Sequence, residues 1–96
     1  MAGRDAVIAG VGVEPFVGRS PHTVETLAGA ALARALGDAG LDIDDVDLFV
    51  FGSRFEHPSL GQRTLLPLCA TGPTIINTEN ACASGTSALE IATAYV

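Results

Sequence analysis

The sequence predicts an α/β fold in which strands and helices alternate as βαβαβα, with a parallel sheet between helices. Three short apolar runs have the length and the β-branched or aromatic content of buried strands, and they span residues 6–13, 48–51 and 74–77. Segments with a helical spacing of apolar residues separate these runs. Hydrophobic residues make up 48% of the chain and aromatic residues only 5%, so the core must consist of closely packed aliphatic side chains.

The first predicted strand, residues 6–13, leads into a loop at residues 14–22 that contains two prolines. A helix follows, with Thr23 as its N-terminal cap and Gly40 as the residue that ends it. The apolar residues of this helix recur at steps of three and four, and they are Leu27, Ala28, Ala31, Leu32, Ala35, Leu36 and Ala39.

The second half of the chain repeats the alternation with less regular helices. An acidic turn at residues 42–47 precedes the second strand. Residues 59–70 have a helical spacing of leucines, but Pro67 predicts a kink or an early end. The third strand is followed by a helical pattern over residues 83–96. No Gly, Pro or basic last turn closes that pattern, so we expect residues 1–96 to be a truncated part of a longer domain.

The composition disfavours several classes of function. The formal net charge is -6, from eleven acidic side chains against five arginines and no lysine, which disfavours a nucleic-acid surface. The N-terminus lacks the pattern of a secretory signal and no apolar stretch is long enough to span a bilayer, so we expect a cytoplasmic protein without a membrane segment. The two cysteines and two histidines lack the paired spacing of metal ligands, so the sequence predicts neither a metal nor a bound cofactor.

Two other patterns resemble ligand motifs and depart from them at decisive positions. Gly10 and Gly12 follow an apolar run, as in dinucleotide-binding proteins, but Pro15 stands at the third glycine position. The aspartate cluster departs from a calcium-binding loop because Asp47 stands where that loop has glycine and Ser53 where it has glutamate. We therefore interpret the glycines as a site of close packing and the aspartates as a solvated turn.

The strongest chemical signal lies where the third strand gives way to a helix, within residues 77–88. Small residues surround Cys82 there, and the pattern places its thiol at the N-terminus of the helix. Unpaired amides and the helix dipole favour a thiolate at such a position, and the same amides are suited to stabilise an oxyanion. A lone cysteine is also often a small buried hydrophobic residue, so the residues alone leave both roles open. We interpret Cys69, in the leucine-rich segment, as buried and structural.

Four segments of the sequence carry a resemblance to a known family. They are the opening run of residues 6–16, Gly40-Leu41 with the acidic turn that follows, Gly61-Gln62-Arg63, and above all Asn80-Ala81-Cys82-Ala83-Ser84-Gly85. On these motifs the sequence resembles the thiolase superfamily over essentially all of its 96 residues, and in particular the sterol-carrier-protein-type thiolases and their bacterial relatives. The last motif is specific, and the other three are supportive.

The resemblance implies a thiolase-like fold, of which residues 1–96 form the N-terminal part of the N-terminal domain. It implies that Cys82 is the nucleophile of an acyl-CoA thiolase of the acetyl-CoA C-acyltransferase type, which holds the acyl group as a thioester during Claisen condensation or thiolysis of a 3-ketoacyl-CoA. Ala83, Ser84 and Gly85 would then leave room for coenzyme A thioesters, which are substrates and not resident cofactors. The family's catalytic histidine and second cysteine come from later parts, so the chain by itself is expected to be inactive.

The resemblance also implies partners for the chain. Members of the family dimerise through the third strand, which predicts a homodimer contact at residues 74–79. Some bacterial relatives also work with a small zinc-ribbon and OB-fold protein. His22 and His57 lie in loop-like stretches and match none of the family's catalytic positions, so we expect surface or supporting roles for them. The loop at residues 55–61 is a candidate to line the site.

Two alternatives remain open from the sequence. A ketoacyl synthase of the same superfamily would use an acyl-carrier protein, but the motif around Cys82 looks more like the coenzyme A-dependent branch. A non-catalytic thiolase-like or lipid-transfer subunit would act as a binding or assembly partner, and the presence of Cys82 argues against it. Acyl transfer onto Cys82 separates an enzyme from a carrier.

Overall fold

The structure, a computed structural model, describes residues 5–54, 57–68 and 72–96. Within this part of the chain, two parallel strands pair side by side, with Leu48 opposite Thr74 and Gly52 opposite Thr78. The elements are α1 (Val24–Ala39), a 3₁₀ turn (Ile43–Asp45), β1 (Leu48–Gly52), α2 (Leu60–Leu65), a second 3₁₀ turn (Leu66–Leu68), β2 (Thr74–Thr78) and α3 (Ser84–Ala94). The predicted α/β class and parallel pairing are confirmed.

The helix α1 begins and ends where the sequence predicts. Thr23 has an extended backbone, and its side-chain oxygen accepts a hydrogen bond from the Thr26 N–H at 3.2 Å, which satisfies one of the free amides of the first turn. At the other end, Gly40 has φ 70° and its N–H donates to the carbonyls of Gly37 and Leu36. Glycine adopts this left-handed conformation without steric cost, and the helix therefore stops there.

The helix α2 is short, as Pro67 predicts. It ends at Leu65 and continues only as the 3₁₀ turn that contains Pro67. Its residue Gly61 lies so close to the sheet that an added Cβ would be 2.6 Å from Ile75 Cγ2 and 2.8 Å from Phe51 Cδ1. Only glycine permits this approach, which accounts for the first residue of the Gly61-Gln62-Arg63 motif. Cys69, predicted to be buried, lies outside the described residues.

Helices cover both faces of the strand pair. Phe51 contacts α2, whereas the next residue, Gly52, lies against the first residue of α3, where an added Cβ would be 2.4 Å from the Ser84 carbonyl oxygen. Because successive strand residues point to opposite faces, α2 and α3 lie on opposite sides of the sheet. The predicted sheet between helices is thus confirmed. The buried apolar side chains are few and mostly aliphatic: Phe49, Leu60, Leu65 and Ala88.

The predicted first strand is wrong for this structure. Residues 6–13 pair with neither described strand, and Val7 and Ile8 are 84% and 77% exposed. The segment lies along α1 instead, where the Val11 N–H donates to the Asp38 carboxylate at 2.9 Å and Gly12 meets the helix backbone. A strand buried on both faces needs a neighbouring strand and cover on each side, and an apolar run specifies neither.

Two smaller predictions agree with the structure. The aspartates of the acidic turn are exposed, and the Asp42 N–H donates to the Asp45 carboxylate at 2.9 Å, which stabilises the 3₁₀ turn. Gly10 and Gly12 serve close packing against α1, since an added Cβ at either would lie within 3 Å of its backbone atoms. In the described part of the chain, no helix has both the length and the apolar character needed to cross a membrane.

Candidate active site at the ends of the parallel strands

The candidate site is built on the turn that joins β2 to α3. Beyond the last residue pair of the sheet, the Ser53 N–H still donates to the Thr78 carbonyl at 3.1 Å, so the two strand ends remain tied. The chain then turns back, with the Ala83 N–H donating to the Asn80 carbonyl at 2.9 Å. Ala81 has φ 47°, a left-handed conformation that residues with a Cβ rarely adopt. We call residues 79–84 the cysteine turn.

Cys82 is an exposed free thiol in this turn, two residues before the first residue of α3. The structure therefore contradicts the alternative in which Cys82 is a buried hydrophobic side chain. The position at the start of α3 agrees with the sequence prediction, because the helix begins at Ser84. An exposed thiol at the N-terminus of a helix is accessible to an electrophile and lies near the positive end of the helix dipole.

The neighbours of Cys82 divide into two groups. Ala83 and Gly85 are exposed, and an ideal Cβ built on Gly85 would have no atom within 4 Å. Ser84 is only 4% exposed, and its hydroxyl is engaged within the fold. The side of the turn that carries Cys82 thus presents small residues outward, while Ser84 points inward.

Hydrogen bonds fix the cysteine turn from both sides. The Ser84 hydroxyl accepts from the Asn80 N–H at 2.8 Å, and it lies 2.7 Å from the Ala81 carbonyl and 3.1 Å from the Ser53 carbonyl. The Ala81 N–H donates to the Glu79 carboxylate, and the Asn80 side-chain amide donates to the Ser87 hydroxyl at 3.0 Å. Each polar side chain of this turn therefore bonds to a group at most seven residues away, and Ser84 adds one contact to the neighbouring strand end.

A cavity of about 1010 Å³ opens beside the turn, at the carboxyl ends of β1 and β2. Phe51 and Leu60 form an apolar part of its wall, and Asn77 and Glu79 are among its polar lining residues. Glu79 connects the cavity to the cysteine turn, because the same side chain accepts from the Ala81 N–H. Ligands of parallel α/β sheets commonly bind at this end of the strands.

The histidines occupy different places. His57 lines the cavity, which agrees with the hypothesis that its loop lies near the site, although Phe55 and Glu56 of that loop fall outside the described residues. His22 is exposed in the segment before α1, and its N–H donates to the Ser20 hydroxyl at 3.1 Å. Among residues 5–54, 57–68 and 72–96, no group of three or more metal-binding side chains comes together.

Sequence reasoning missed the supporting residues of the site. The motif around Cys82 includes Asn80, but the sequence predicted no supporting role for Asn80 or Glu79, and it did not predict the position of Ser53 beside Ser84. The signal for the first two was local: short polar side chains commonly bond to nearby backbone groups at turns and helix starts. Ser53 is separated from Ser84 by 31 residues, so only the parallel register of the strands brings it there.

The chain is similar in sequence to two vertebrate proteins, both named sterol carrier protein 2. Sterol carrier protein 2 from Gallus gallus is 36% identical over 89 residues, which cover 90% of this chain and 16% of that protein. Sterol carrier protein 2 from Homo sapiens is 36% identical over 93 residues, which cover 93% of this chain and 17% of that protein. The chain thus spans about a sixth of the length of these relatives. No protein-family model matches the sequence.

The fold is similar to that of a solved enzyme structure. The 3-oxoacyl-[acyl-carrier-protein] synthase III from Aquifex aeolicus superposes with a TM-score of 0.69 and 25% identity, over 79% of this chain and 26% of that one. The likeness in fold and the likeness in sequence both agree with the motif around Cys82. The chain is therefore thiolase-like in both sequence and fold.

Proposed function

We propose that the protein carrying this chain is an acyl-CoA thiolase of the acetyl-CoA C-acyltransferase type, with Cys82 as its acyl-thioester nucleophile. The observation that carries the proposal is the exposed thiol at the start of α3, on a hydrogen-bonded turn whose residue Glu79 lines a cavity at the strand ends. A nucleophile needs access to its electrophile and a fixed direction of attack, and the cysteine turn supplies both.

The proposed reaction proceeds in two steps. The Cys82 thiolate attacks the thioester carbonyl of an acyl-CoA, the coenzyme A thiolate leaves, and the acyl group stays on the sulfur. In condensation, the carbanion of acetyl-CoA then attacks the acyl-enzyme and the Cys82 thiolate departs from a 3-ketoacyl-CoA. Thiolysis is the reverse. Dividing the exchange into two steps lowers the barrier of each.

The groups that activate the thiol and move the α-proton belong, by the resemblance, to parts of a thiolase outside these 96 residues. Catalysis is accordingly proposed for the whole protein, and the chain by itself is expected to be inactive. Ala83 and Gly85 are proposed to face the substrate, because both are exposed beside Cys82. Nothing within the described part of the chain lies within 4 Å of a Cβ at Gly85, so internal packing does not require glycine there.

The proposed homodimer uses residues 74–79. The edge of β2 that faces away from β1 pairs with no strand among the described residues, so its backbone groups are available to the same strand of a second copy. Light scattering on the whole protein measures the mass directly, and a monomer at micromolar concentration would contradict this part of the proposal.

A second candidate is a lipid carrier without acyl transfer. The observation that favours it is the 36% identity to two proteins named sterol carrier protein 2. Such a protein would bind an acyl-CoA or another lipid in the cavity without forming a covalent bond to Cys82. The two candidates share a ligand class and differ in whether the thiol is acylated.

The deciding experiment incubates the whole protein with acetyl-CoA and follows two products. Intact-mass spectrometry with peptide mapping locates an acetyl group, and a thiol reagent measures the coenzyme A released. We expect one acetyl group on Cys82 in the wild type and in Cys69→Ser, and none in Cys82→Ala. A folded wild type that binds acyl-CoA but acquires no acetyl group would instead identify a carrier.

A further inference from the structure

We propose that Ser84 is a positioning residue for Cys82, and this inference rests on the function proposed above. Its hydroxyl joins the two sides of the cysteine turn: it belongs to the first residue of α3, and it bonds to Asn80 and Ala81 before Cys82. The Ser84 side chain thus links the backbone on the two sides of Cys82.

The chemistry of a hydroxyl group fits this arrangement. A serine hydroxyl has one proton to donate and two lone pairs that accept. Here it accepts from the Asn80 N–H at 2.8 Å and donates to the Ala81 carbonyl at 2.7 Å, with the Ser53 carbonyl at 3.1 Å as a second acceptor. The Ser53 contact ties the turn to the end of β1, so the position of Cys82 is fixed relative to the sheet as well as to α3.

The backbone of Ala81 shows why the turn needs such support. Its φ of 47° is disfavoured for a residue with a Cβ and persists only where surrounding bonds hold it. Glu79 holds the Ala81 N–H and Ser84 holds the Ala81 carbonyl, one on each side of the strained residue. If the hydroxyl is removed, the Ala81 carbonyl keeps only the hydrogen bond from the Ser84 backbone N–H at 3.3 Å, the Asn80 N–H loses its acceptor, and the backbone next to the thiol is held less firmly.

Burial distinguishes Ser84 from the other polar residues of the turn. Ser84 is 4% exposed, so water cannot readily replace its hydrogen bonds. Ser87 is the natural comparison, because its hydroxyl accepts from the Asn80 side chain and, among the described residues, bonds to no backbone group next to Cys82. Ser84→Ala and Ser87→Ala each remove one hydroxyl from the same network, but only the first removes side-chain hydrogen bonds to the backbone of Asn80 and Ala81.

The test uses the whole protein and two reactions of the same thiol. Acetylation of Cys82 by acetyl-CoA requires an oriented attack, whereas alkylation by iodoacetamide requires mainly an accessible thiolate. We expect Ser84→Ala to slow acetylation by about 10-fold to 100-fold, the range expected when a reacting group is misplaced by about 1 Å. The rate at which iodoacetamide alkylates Cys82 in Ser84→Ala, measured over a range of pH, should differ from the wild-type rate by less than about threefold, since the thiol remains accessible. Ser87→Ala should affect acetylation much less than Ser84→Ala, because it frees only the side chain of Asn80. Ser84→Thr, which retains a hydroxyl, should recover most of the acetylation rate.

Each outcome has a distinct meaning. Acetylation of Ser84→Ala at the wild-type rate would overturn the positioning role and leave the proposed function intact. A wild type that is not acetylated at all would overturn the proposed function and this inference with it. Equal losses in Ser84→Ala and Ser84→Thr would also overturn the inference, because packing and not the hydroxyl would then matter. If Ser84→Ala does not fold, Ser84→Cys, a weaker hydrogen-bond donor of similar size, replaces it, and fragment-ion spectra locate the acetyl group.

Discussion

The cysteine turn at residues 79–84 and the N-terminal segment at residues 6–17 differ in how firmly the fold holds their backbones. Both are rich in small residues, and both carry motifs of the thiolase resemblance. The turn has its backbone fixed by hydrogen bonds from Ser84 and Glu79. The segment exposes apolar side chains, including Phe16 at 95%, and is tied to α1 by the hydrogen bond from Val11 to Asp38 and by the ion pair of Glu14 with Arg34.

The difference is one of distance along the chain. Most hydrogen bonds of the cysteine turn join groups two to seven residues apart, so a short stretch of sequence determines the conformation of the turn. The N-terminal segment needs neighbours on both edges and both faces to become a buried strand. Local interactions thus specify the candidate site. Whether the N-terminal segment forms a strand depends instead on neighbouring segments that cannot be identified from residues 6–17 alone.

The largest effect is expected from Gly52→Ala, because Gly52 of β1 packs directly against Ser84 of the turn. The new Cβ would lie 2.4 Å from the Ser84 carbonyl oxygen and 2.6 Å from its carbonyl carbon, and backbone atoms cannot move aside cheaply. We expect the free energy of unfolding to fall by about 1–3 kcal/mol, as for other overpacked sites, and Cys82 acylation to fall with it. Urea denaturation measures the first quantity.

Gly85→Ala is the matched control, because the same methyl group enters α3 where no atom lies within 4 Å. Stability should rise by about 0.5–1 kcal/mol, since alanine favours a helix over glycine. If acyl-CoA passes over Gly85 as proposed, acetylation should nevertheless fall. An unchanged acetylation rate would remove Gly85 from the substrate-binding residues. Loss of stability in Gly85→Ala would show that α3 is packed differently.

Ala81→Gly should have a smaller effect of opposite sign on stability. Glycine adopts φ 47° without the Cβ conflict, so the folded state should gain up to about 1 kcal/mol at this position. The turn would also become freer to move, and acetylation of Cys82 should slow because attack needs a fixed direction. Thermal unfolding measures the gain in stability, and the acetylation rate measures the loss of orientation. A faster reaction in Ala81→Gly would mean that the strained backbone does not help orient the thiol.

Gly12→Ala tests the N-terminal segment and should leave the turn alone. An added Cβ would be 2.2 Å from the Ala31 carbonyl oxygen, so the segment must move away from α1. Because its side chains are largely exposed, we expect a loss of stability below about 1 kcal/mol. Amide exchange near Val11 should increase while alkylation of Cys82 stays the same. Gly18→Ala, where no atom lies within 4 Å, is the control.

The same contrast explains how much the sequence predicted. The caps at Thr23 and Gly40 and the early end of α2 at Pro67 follow from single residues acting on their own backbone. The position of Cys82 at the start of α3 follows from a strand-to-helix pattern of the same kind. The packing of Gly52 against Ser84, and the failure of residues 6–13 to pair, depend on segments far apart in sequence. No local pattern encodes these, so they required the three-dimensional structure.

The smallest effect is expected for the stability of the protein in acid, through Glu25 in the first turn of α1. The backbone N–H of Glu25, followed by the charge of Arg63 and the hydroxyl of Thr23, lowers the pKa of the Glu25 carboxyl from its usual 4.5, against a partial desolvation that raises it. Because the folded-state pKa is the lower one, this contribution to stability is complete above about pH 4.5 and is lost as the pH falls through the folded-state value. Glu25→Gln should therefore lose less thermal stability than the wild type between about pH 7 and about pH 3. High salt should reduce the difference only in part, because it screens Arg63 and leaves the backbone hydrogen bond intact. Equal acid sensitivity in both proteins would show that the carboxylate does not stabilise the first turn of α1, the helix on which the N-terminal segment rests.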